Sequence, residues 1–230
     1  MEEAKRVGKV RFFGATSHAG DRSGILSHAI DKGAFDMVLV KMNVLDYEDA
    51  KLPALLKKAK EKDIGVVVMK SQPGGGRIPA AYEKSRYNIY QANLRWVLDH
   101  EEVACVVHSK IGTDPASQDL AIGAVGEKLG LRDEKLLDGY ATALSPDYCR
   151  GCQGECTDAC PADVAIPHVL QFAMYDREYG WHDRAREHYR ALPVAQRWSE
   201  TCLSCTKCND ACPYGVDARA GVVEAKSRLG

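Results

Sequence analysis

Eight of the nine cysteines in this chain lie beyond residue 148, in two runs. The run CLSCTKCNDACP sets Cys202, Cys205, Cys208 and Cys212 in the spacing C-x2-C-x2-C-x3-C and closes on Pro213. The run CRGCQGECTDACP sets Cys149, Cys152, Cys156 and Cys160 in the same spacing, with one residue added between the second and third cysteines, and closes on Pro161. Thiolates this dense suit a 4Fe-4S cubane, in which each corner iron takes one sulfur. Three cysteines on a tight loop reach three irons, and the fourth, turned aside by the proline, ligates the other cluster of a two-cluster protein. The spacing therefore predicts two 4Fe-4S clusters with crossed ligation: Cys149, Cys152 and Cys156 with Cys212, and Cys202, Cys205 and Cys208 with Cys160. Two adjacent clusters imply one-electron transfer. Zinc is the lesser alternative, because it prefers two C-x2-C pairs separated by a longer loop. Disulfides do not suit the reducing compartment expected of a chain whose first residues, MEEAKRVGKV, carry no apolar signal segment.

The elements that position these cysteines follow from the pattern between the runs. Residues 161–201 are rich in helix formers and too long for a compact hairpin. IPHVLQFAMYDREYG places Val169, Phe172 and Ala173 on one helical face, and RAREHYRAL does the same with Ala185, Tyr189 and Leu192. An α-helical ferredoxin-type module is expected over 145–230, with Tyr175, Tyr179, Trp181, Tyr189 and Trp198 packing around the clusters rather than relaying electrons. The Ser145-Pro146 pair ends a helical pattern and marks the boundary.

Residues 1–144 have a different grammar. KVRFFGATSH, FDMVLVKMN, DIGVVVMKSQ and VACVVHSK are short apolar runs, each followed by a helical pattern. In YEDAKLPALLKKAKEK, Leu52, Leu55, Leu56 and Ala59 share a face, acidic residues open the helix and basic ones close it. The near-continuous apolar strands predict a parallel sheet buried on both faces, four βα units in all. Ligands of such sheets bind beyond the carboxyl ends of the strands. Those ends carry Thr16, Ser17 and His18, then Lys41 and Asn43, then Lys70, Ser71 and Gln72, then His108, Ser109 and Lys110. PGGGR, from Pro73 to Arg77, lacks the residues of a Walker loop and reads as a flexible loop. His28 reads as a structural or surface residue on a helix, and Cys105 as a small core hydrophobe.

Whole-chain numbers limit the partners. Lys and Arg number 31 against 32 Asp and Glu, a net charge of -1 that offers no basic surface for nucleic acid. No apolar run approaches the roughly 20 residues of a membrane span. A cytoplasmic, globular protein is expected.

GKVRFFGATSH, FDMVLVKMNVLD, AKEKDIGVVVMKSQPGGG and the cysteine-rich tail together resemble the C-terminal part of aldo/keto reductases that carry an added iron-sulfur domain. The resemblance implies an α/β fold: a (β/α)8 TIM-type barrel of which these four units match strands five to eight, followed by the two-cluster module. It also implies a nicotinamide cofactor, NAD(P), at the strand ends, which makes Thr16, Ser17, Asn43, Met69, Lys70 and Lys110 the matching contacts. Leu39 stands where many members place a glutamine. The Asp, Tyr, Lys and His catalytic groups of the family lie on its first four strands, so no catalytic residue is assigned, and Met1 reads either as an internal methionine of a longer frame or as the start of a natural half-barrel. The expected function is an iron-sulfur oxidoreductase of aldo/keto reductase type, or its C-terminal portion, passing electrons to a redox partner protein. The alternative is a non-catalytic electron-transfer or assembly subunit whose half-barrel docks onto a second copy or onto an N-terminal half-barrel.

Overall fold

A computed structural model describes residues 2–48, 51–107, 126–152 and 154–230. The chain divides into two compact units, one of residues 1–72 and 82–139, the other of residues 73–81 and 140–230.

The first unit is α/β. Its strands, β1 (Gly14–Thr16), β2 (Met37–Lys41), β3 (Gly65–Met69) and β4 (Val103–Val107), lie in the consecutive order β1-β2-β3-β4, all parallel. A short helix α1 (Glu2–Arg6) precedes them, and α2 (Arg22–Asp31), α3 (Lys51–Glu61) and α4 (Arg86–Leu98) connect them. Val38, Val40, Val66 and Val68 alternate along β2 and β3 and are buried with Leu26 and Ile30 of α2, Leu52, Leu55, Leu56 and Ala59 of α3 and Val97 of α4. All three helices therefore cover one face.

The opposite face departs from the sequence-based expectation of strands buried on both sides. Met37, Leu39, Val67 and Met69 are only partly covered, so each strand alternates buried and half-buried residues. Cys105 is likewise not a core residue: among the described residues β4 pairs with β3 alone, and Cys105 is exposed on it beside Val107. The first strand is shorter than KVRFFGATSH promised, since only Gly14–Thr16 pairs, and Phe12 is exposed. In α3 the buried face is the one the pattern predicts, but Asp46–Glu48 form a separate 3-10 turn, so no acidic residue stands in the first turn of α3. His108, Ser109 and Lys110 lie outside the described residues.

The second unit is helical. Helix α5 (Leu131–Leu144) enters it at Tyr140, and Ser145–Asp147 form a 3-10 turn beneath the expected Pro146 break. There follow α6 (Glu155–Asp158), α7 (Ile166–Tyr179), α8 (His182–Ala191), α9 (Val194–Arg197), α10 (Lys207–Asp210) and α11 (Ala218–Leu229). Val169 and Ala173 of α7, Ala185 and Tyr189 of α8, and Val222, Ala225 and Leu229 of α11 form its core, with Cys156 at one end. PGGGR is not an open loop: Pro73–Gly76 make a 3-10 turn of this unit, and Arg77 pairs with Asp147 at 2.9 Å while its carbonyl accepts from the Tyr140 hydroxyl at 3.0 Å. Among the described residues no helix is long and apolar enough to cross a membrane.

Candidate metal centre

The second unit is built on an internal repeat. Each cysteine run places its third cysteine on a one-turn helix, Cys156 on α6 and Cys208 on α10. Each then makes a Cys-Pro turn of the form C-P-x-x-V: Cys160-Pro161-Ala162-Asp163-Val164 and Cys212-Pro213-Tyr214-Gly215-Val216. Both turns reverse through a left-handed residue, Asp163 at φ 53° and Gly215 at φ 65°. That conformation suits glycine or a short Asx side chain and few others. The reversal lets the valine amide fold back onto the cysteine, so Val164 N donates to Cys160 Sγ and Val216 N donates to Cys212 Sγ, both at 3.4 Å. Two residues after each of these valines a longer helix starts, α7 at Ile166 in the first repeat and α11 at Ala218 in the second.

The repeat brings the cysteines together across the two runs. One cavity is lined by Cys149, Cys152 and Cys156 of the first run and Cys212 of the second, walled by Pro167, Leu170, Val216 and Ala218. Another is lined by Cys202, Cys205 and Cys208 and by Cys160, walled by Ala162, Val164, Ile166 and Val222. The electrostatics follow the same grouping. Burial, then the neighbouring Cys149, Cys152 and Cys212, push the Cys156 thiol up to about 12. Burial also raises Cys208, with Cys160 and Cys205 adding to it. Thiols placed this way give up their protons when a metal takes the sulfur. Among the described residues no three His, Cys, Asp or Glu side chains could hold a single metal ion. Four sulfurs spread around an apolar cavity instead suit a cubane, which offers a separate iron to each, and the donor set is the one such a cluster needs.

Each cavity also has an arginine that the spacing did not reveal. Arg150 is buried beside the first, its guanidinium 4.4 Å from the ring centre of Tyr214 and donating to the carbonyls of Ser145 and Tyr148 at 3.0 and 2.8 Å. Arg219 lines the second and donates to the carbonyls of Cys202 and Leu203 at 3.1 and 2.7 Å, tying the loop of the second run to α11. Asn209 braces the same corner, accepting from the Arg219 amide at 2.9 Å and donating to Asp217 at 2.8 Å. Aligning the two runs on their Cys-Pro pairs exposes the C-P-x-x-V repeat in the sequence; the arginines leave no such trace.

The aromatic residues pack, but not around the cavities. Tyr175, Tyr179 and Trp181 stack on one another, with ring centres 4.7 Å apart for Tyr179 and Trp181, and none of them lines either cavity. Tyr189 is buried and Trp198 packs against the same core.

At the carboxyl ends of the strands in the first unit the expected contacts meet different fates. Thr16 Oγ1 donates to the Leu39 carbonyl at 3.0 Å, and Ser17 Oγ accepts from the Ala19 amide at 3.2 Å. Asn43 is fully buried: its amide donates to Asp46 at 2.5 Å and to the Lys70 carbonyl at 3.1 Å, while its oxygen accepts from the amides of Leu45 and Asp46. It holds its own loop. The Met69 carbonyl accepts from Met42 N at 3.1 Å. Lys70 reaches His18, and Gln72 is spent on α4, donating to the Tyr90 carbonyl at 3.0 Å. Lys110 lies outside the described residues.

No curated protein and no solved structure matches the chain. Residues 148–216 match the family model of the 4Fe-4S dicluster domain, a span that holds all eight clustered cysteines and makes this part of the chain a ferredoxin-type iron-sulfur module.

Proposed function

We propose that this chain is an electron-transfer protein of an iron-sulfur oxidoreductase, carrying two 4Fe-4S clusters ligated across the two cysteine runs. The observation that carries the reading is the lining of the two cavities, three cysteines of one run and the fourth of the other in each. A bound cluster supplies a reversible one-electron couple. The residues of the chain fix its surroundings. Eight thiolates hold the irons, the amides of Val164 and Val216 donate toward Cys160 and Cys212, and the guanidinium groups of Arg150 and Arg219 offset negative charge. Leu170 and Val216 on one side and Ile166 and Val222 on the other set apolar groups beside the sulfurs. Clusters of this kind belong in a reducing cytoplasm, beside a redox partner protein. The test is anaerobic purification and analysis: the protein is brown, with about eight irons and about eight labile sulfides per chain, as two cubanes require. Stoichiometric zinc in place of iron overturns the assignment.

We read the first unit as the C-terminal half of an aldo/keto reductase barrel. The consecutive parallel order with all helices on one face supports this, as does the half-covered opposite face. The outer strands, where Val107 on β4 is 54% exposed and Phe12, just before β1, is 64% exposed, are where a second copy or an N-terminal half-barrel would add. A nicotinamide cofactor fits these residues poorly. The Asn43 amide is spent on its own loop, Leu39 offers no polar group, and Tyr47, four residues further on, packs edge-on against Trp96 with ring centres 5.3 Å apart. No hydride step is derived, and these observations favour the second reading, a non-catalytic carrier, for the chain by itself.

A further inference from the structure

The carboxyl edge of the sheet holds a cluster that electron transfer does not use. Asp46 is buried, its side chain 0% exposed, and three groups converge on it: Lys41 Nζ at 2.9 Å, Arg22 Nη2 at 3.3 Å and the Asn43 amide at 2.5 Å. Lys41 ends β2, Arg22 opens α2 and Asn43 follows β2, so the carboxylate gathers cations from two βα units onto one spot. Beside it stands Lys70, the residue after β3. Its backbone is in the left-handed region at φ 57°, unusual for a lysine, and its carbonyl is held there by the Asn43 amide at 3.1 Å. Its Nζ comes within 3.4 Å of His18 Nδ1, from the loop after β1. Three strand ends thus meet. Among the described residues this spot has Arg22, Lys41, Lys70 and His18 against the one carboxylate of Asp46.

We propose that Lys70 is a nucleophilic amine that forms an imine with a small carbonyl compound bearing a carboxylate or phosphate, drawn in by Arg22 and Lys41. The geometry makes this chemistry natural in two ways. First, Lys70 Nζ lies 3.4 Å from His18 Nδ1 on an exposed side chain, and partial desolvation, then the charges of Lys41 and Arg22, push its pKa down, with Asp46 offsetting them only in part. Second, His18 is held below its ordinary value by burial and by Lys70, Lys41 and Arg22, so its ring is a base at neutral pH. An amine whose pKa is lowered by desolvation and neighbouring cations gives up its proton more readily, and the deprotonated amine is the nucleophile. The same cations focus anions onto the site.

The step balances without an oxidant or reductant. The Lys70 nitrogen lone pair attacks the carbonyl carbon, a C–N bond forms and the carbonyl π bond opens onto oxygen. His18 takes the proton from nitrogen and returns it to the oxygen, giving a carbinolamine. His18 then takes the second proton from nitrogen and gives it to the hydroxyl, which leaves as water with the electrons of the C–O bond while the electrons of that N–H bond close the C=N bond. The net change is amine plus carbonyl to imine plus water. Here Lys70 and His18 are the reacting groups, and Arg22 and Lys41 bind the anionic end.

The proposal is independent of the clusters, and its test reads a covalent label. The full-length holoprotein, kept anaerobic, is treated with glyoxylate or with acetaldehyde in the presence of cyanoborohydride, which traps an imine as a secondary amine. Peptide mass spectrometry then locates the label. Glyoxylate is expected to modify Lys70 about tenfold faster than Lys57, whose side chain is 77% exposed on α3, the low end of what a focused field gives an anion. Acetaldehyde, without charge, should show no such preference. The Lys70→Arg variant keeps the charge and should lose the label at that position with unchanged circular dichroism, and Arg22→Gln should remove the preference for glyoxylate. A phosphate-bearing source is distinguished by inorganic phosphate, which slows glyoxylate labelling if that is the better-fitting anion and leaves it unchanged if carboxylate is. Label spread evenly over the exposed lysines, or a Lys70 adduct that forms as fast with acetaldehyde, overturns the proposal.

Discussion

Asp176 offers a quantitative test of how the cluster module is held together. It lies on α7 with a side chain only 4% exposed, and it binds Arg228 Nε of α11 at 2.5 Å and His182 Nδ1 of α8 at 2.6 Å. One carboxylate therefore ties together the three helices of the module's core. Hydrogen bonds to charged groups contribute about 1.5–3 kcal/mol each, which for two intact bonds comes to about 3–6 kcal/mol. Arg228 and His182 are 41% and 60% exposed, however, and recover water when the carboxylate is removed. Asp176→Ala should therefore cost roughly 2 kcal/mol. For a unit of this size that lowers the midpoint of thermal unfolding by roughly 10 °C, measured by far-ultraviolet circular dichroism on the anaerobic holoprotein at pH 7. The pH dependence has a definite sign. Burial opposes ionisation of Asp176, but the bonds from His182 and Arg228 outweigh it and hold the carboxyl below the ordinary range. A depressed folded-state pKa contributes stability that is present above the unfolded value, about 4, and is lost as pH falls through the lowered one. The gap between wild type and Asp176→Ala should narrow below about pH 4. An unchanged midpoint at pH 7, or a gap that widens in acid, would show that the carboxylate does not clamp these helices.

Arg219→Ala removes a half-buried positive charge beside the second cavity, along with its bonds to the Cys202 and Leu203 carbonyls. The reduced state of that cluster should lose support, so its midpoint falls by roughly 50 mV, about 1 kcal/mol for one electron; a redox titration that finds no shift, or a rise, refutes this. The exposed Phe12, just before β1, and Val107 on β4 predict association. Static light scattering should show a dimer or larger species whose mass falls on dilution, and a stable monomer at every concentration counts against an open half-barrel.

The sequence carried the metal chemistry further than the fold. Cysteine spacing carries an expectation about which sulfurs lie together, because the first three are close along the chain and the proline turn sets the fourth apart. The crossed lining of both cavities follows that reading. Helix faces were equally legible: the residues buried on α3 are the four that the 3.6-residue period selects. What periodicity did not convey is how much covers the second face of a sheet. Apolar runs such as GVVVM look alike whether both faces are buried or one is half open, which is why Cys105 read as a core residue and is exposed. Asn43 shows the matching gap at the site. Its position after a strand marks it as a contact, yet its side chain bonds Asp46, the amides of Leu45 and Asp46 and the Lys70 carbonyl, a matter of tertiary geometry that no residue type announces. The Arg150 and Arg219 contacts are of the same kind, since each joins segments distant from the cysteines' own spacing.

The central claim is the crossed ligation, and Cys160→Ser tests it most directly. Cys160 belongs to the first run but lines the cavity of Cys202, Cys205 and Cys208, and its Sγ accepts from Val164 N at 3.4 Å. Electron paramagnetic resonance of the dithionite-reduced variant, recorded beside Cys212→Ser, reads the two clusters separately. The account predicts that Cys160→Ser perturbs or loses the signal of the second-run cluster and leaves the first intact, that Cys212→Ser does the reverse, and that iron falls toward about four per chain wherever a cluster is lost. If Cys160→Ser instead alters only the cluster of Cys149, Cys152 and Cys156, each run holds its own cluster and the crossed arrangement is wrong.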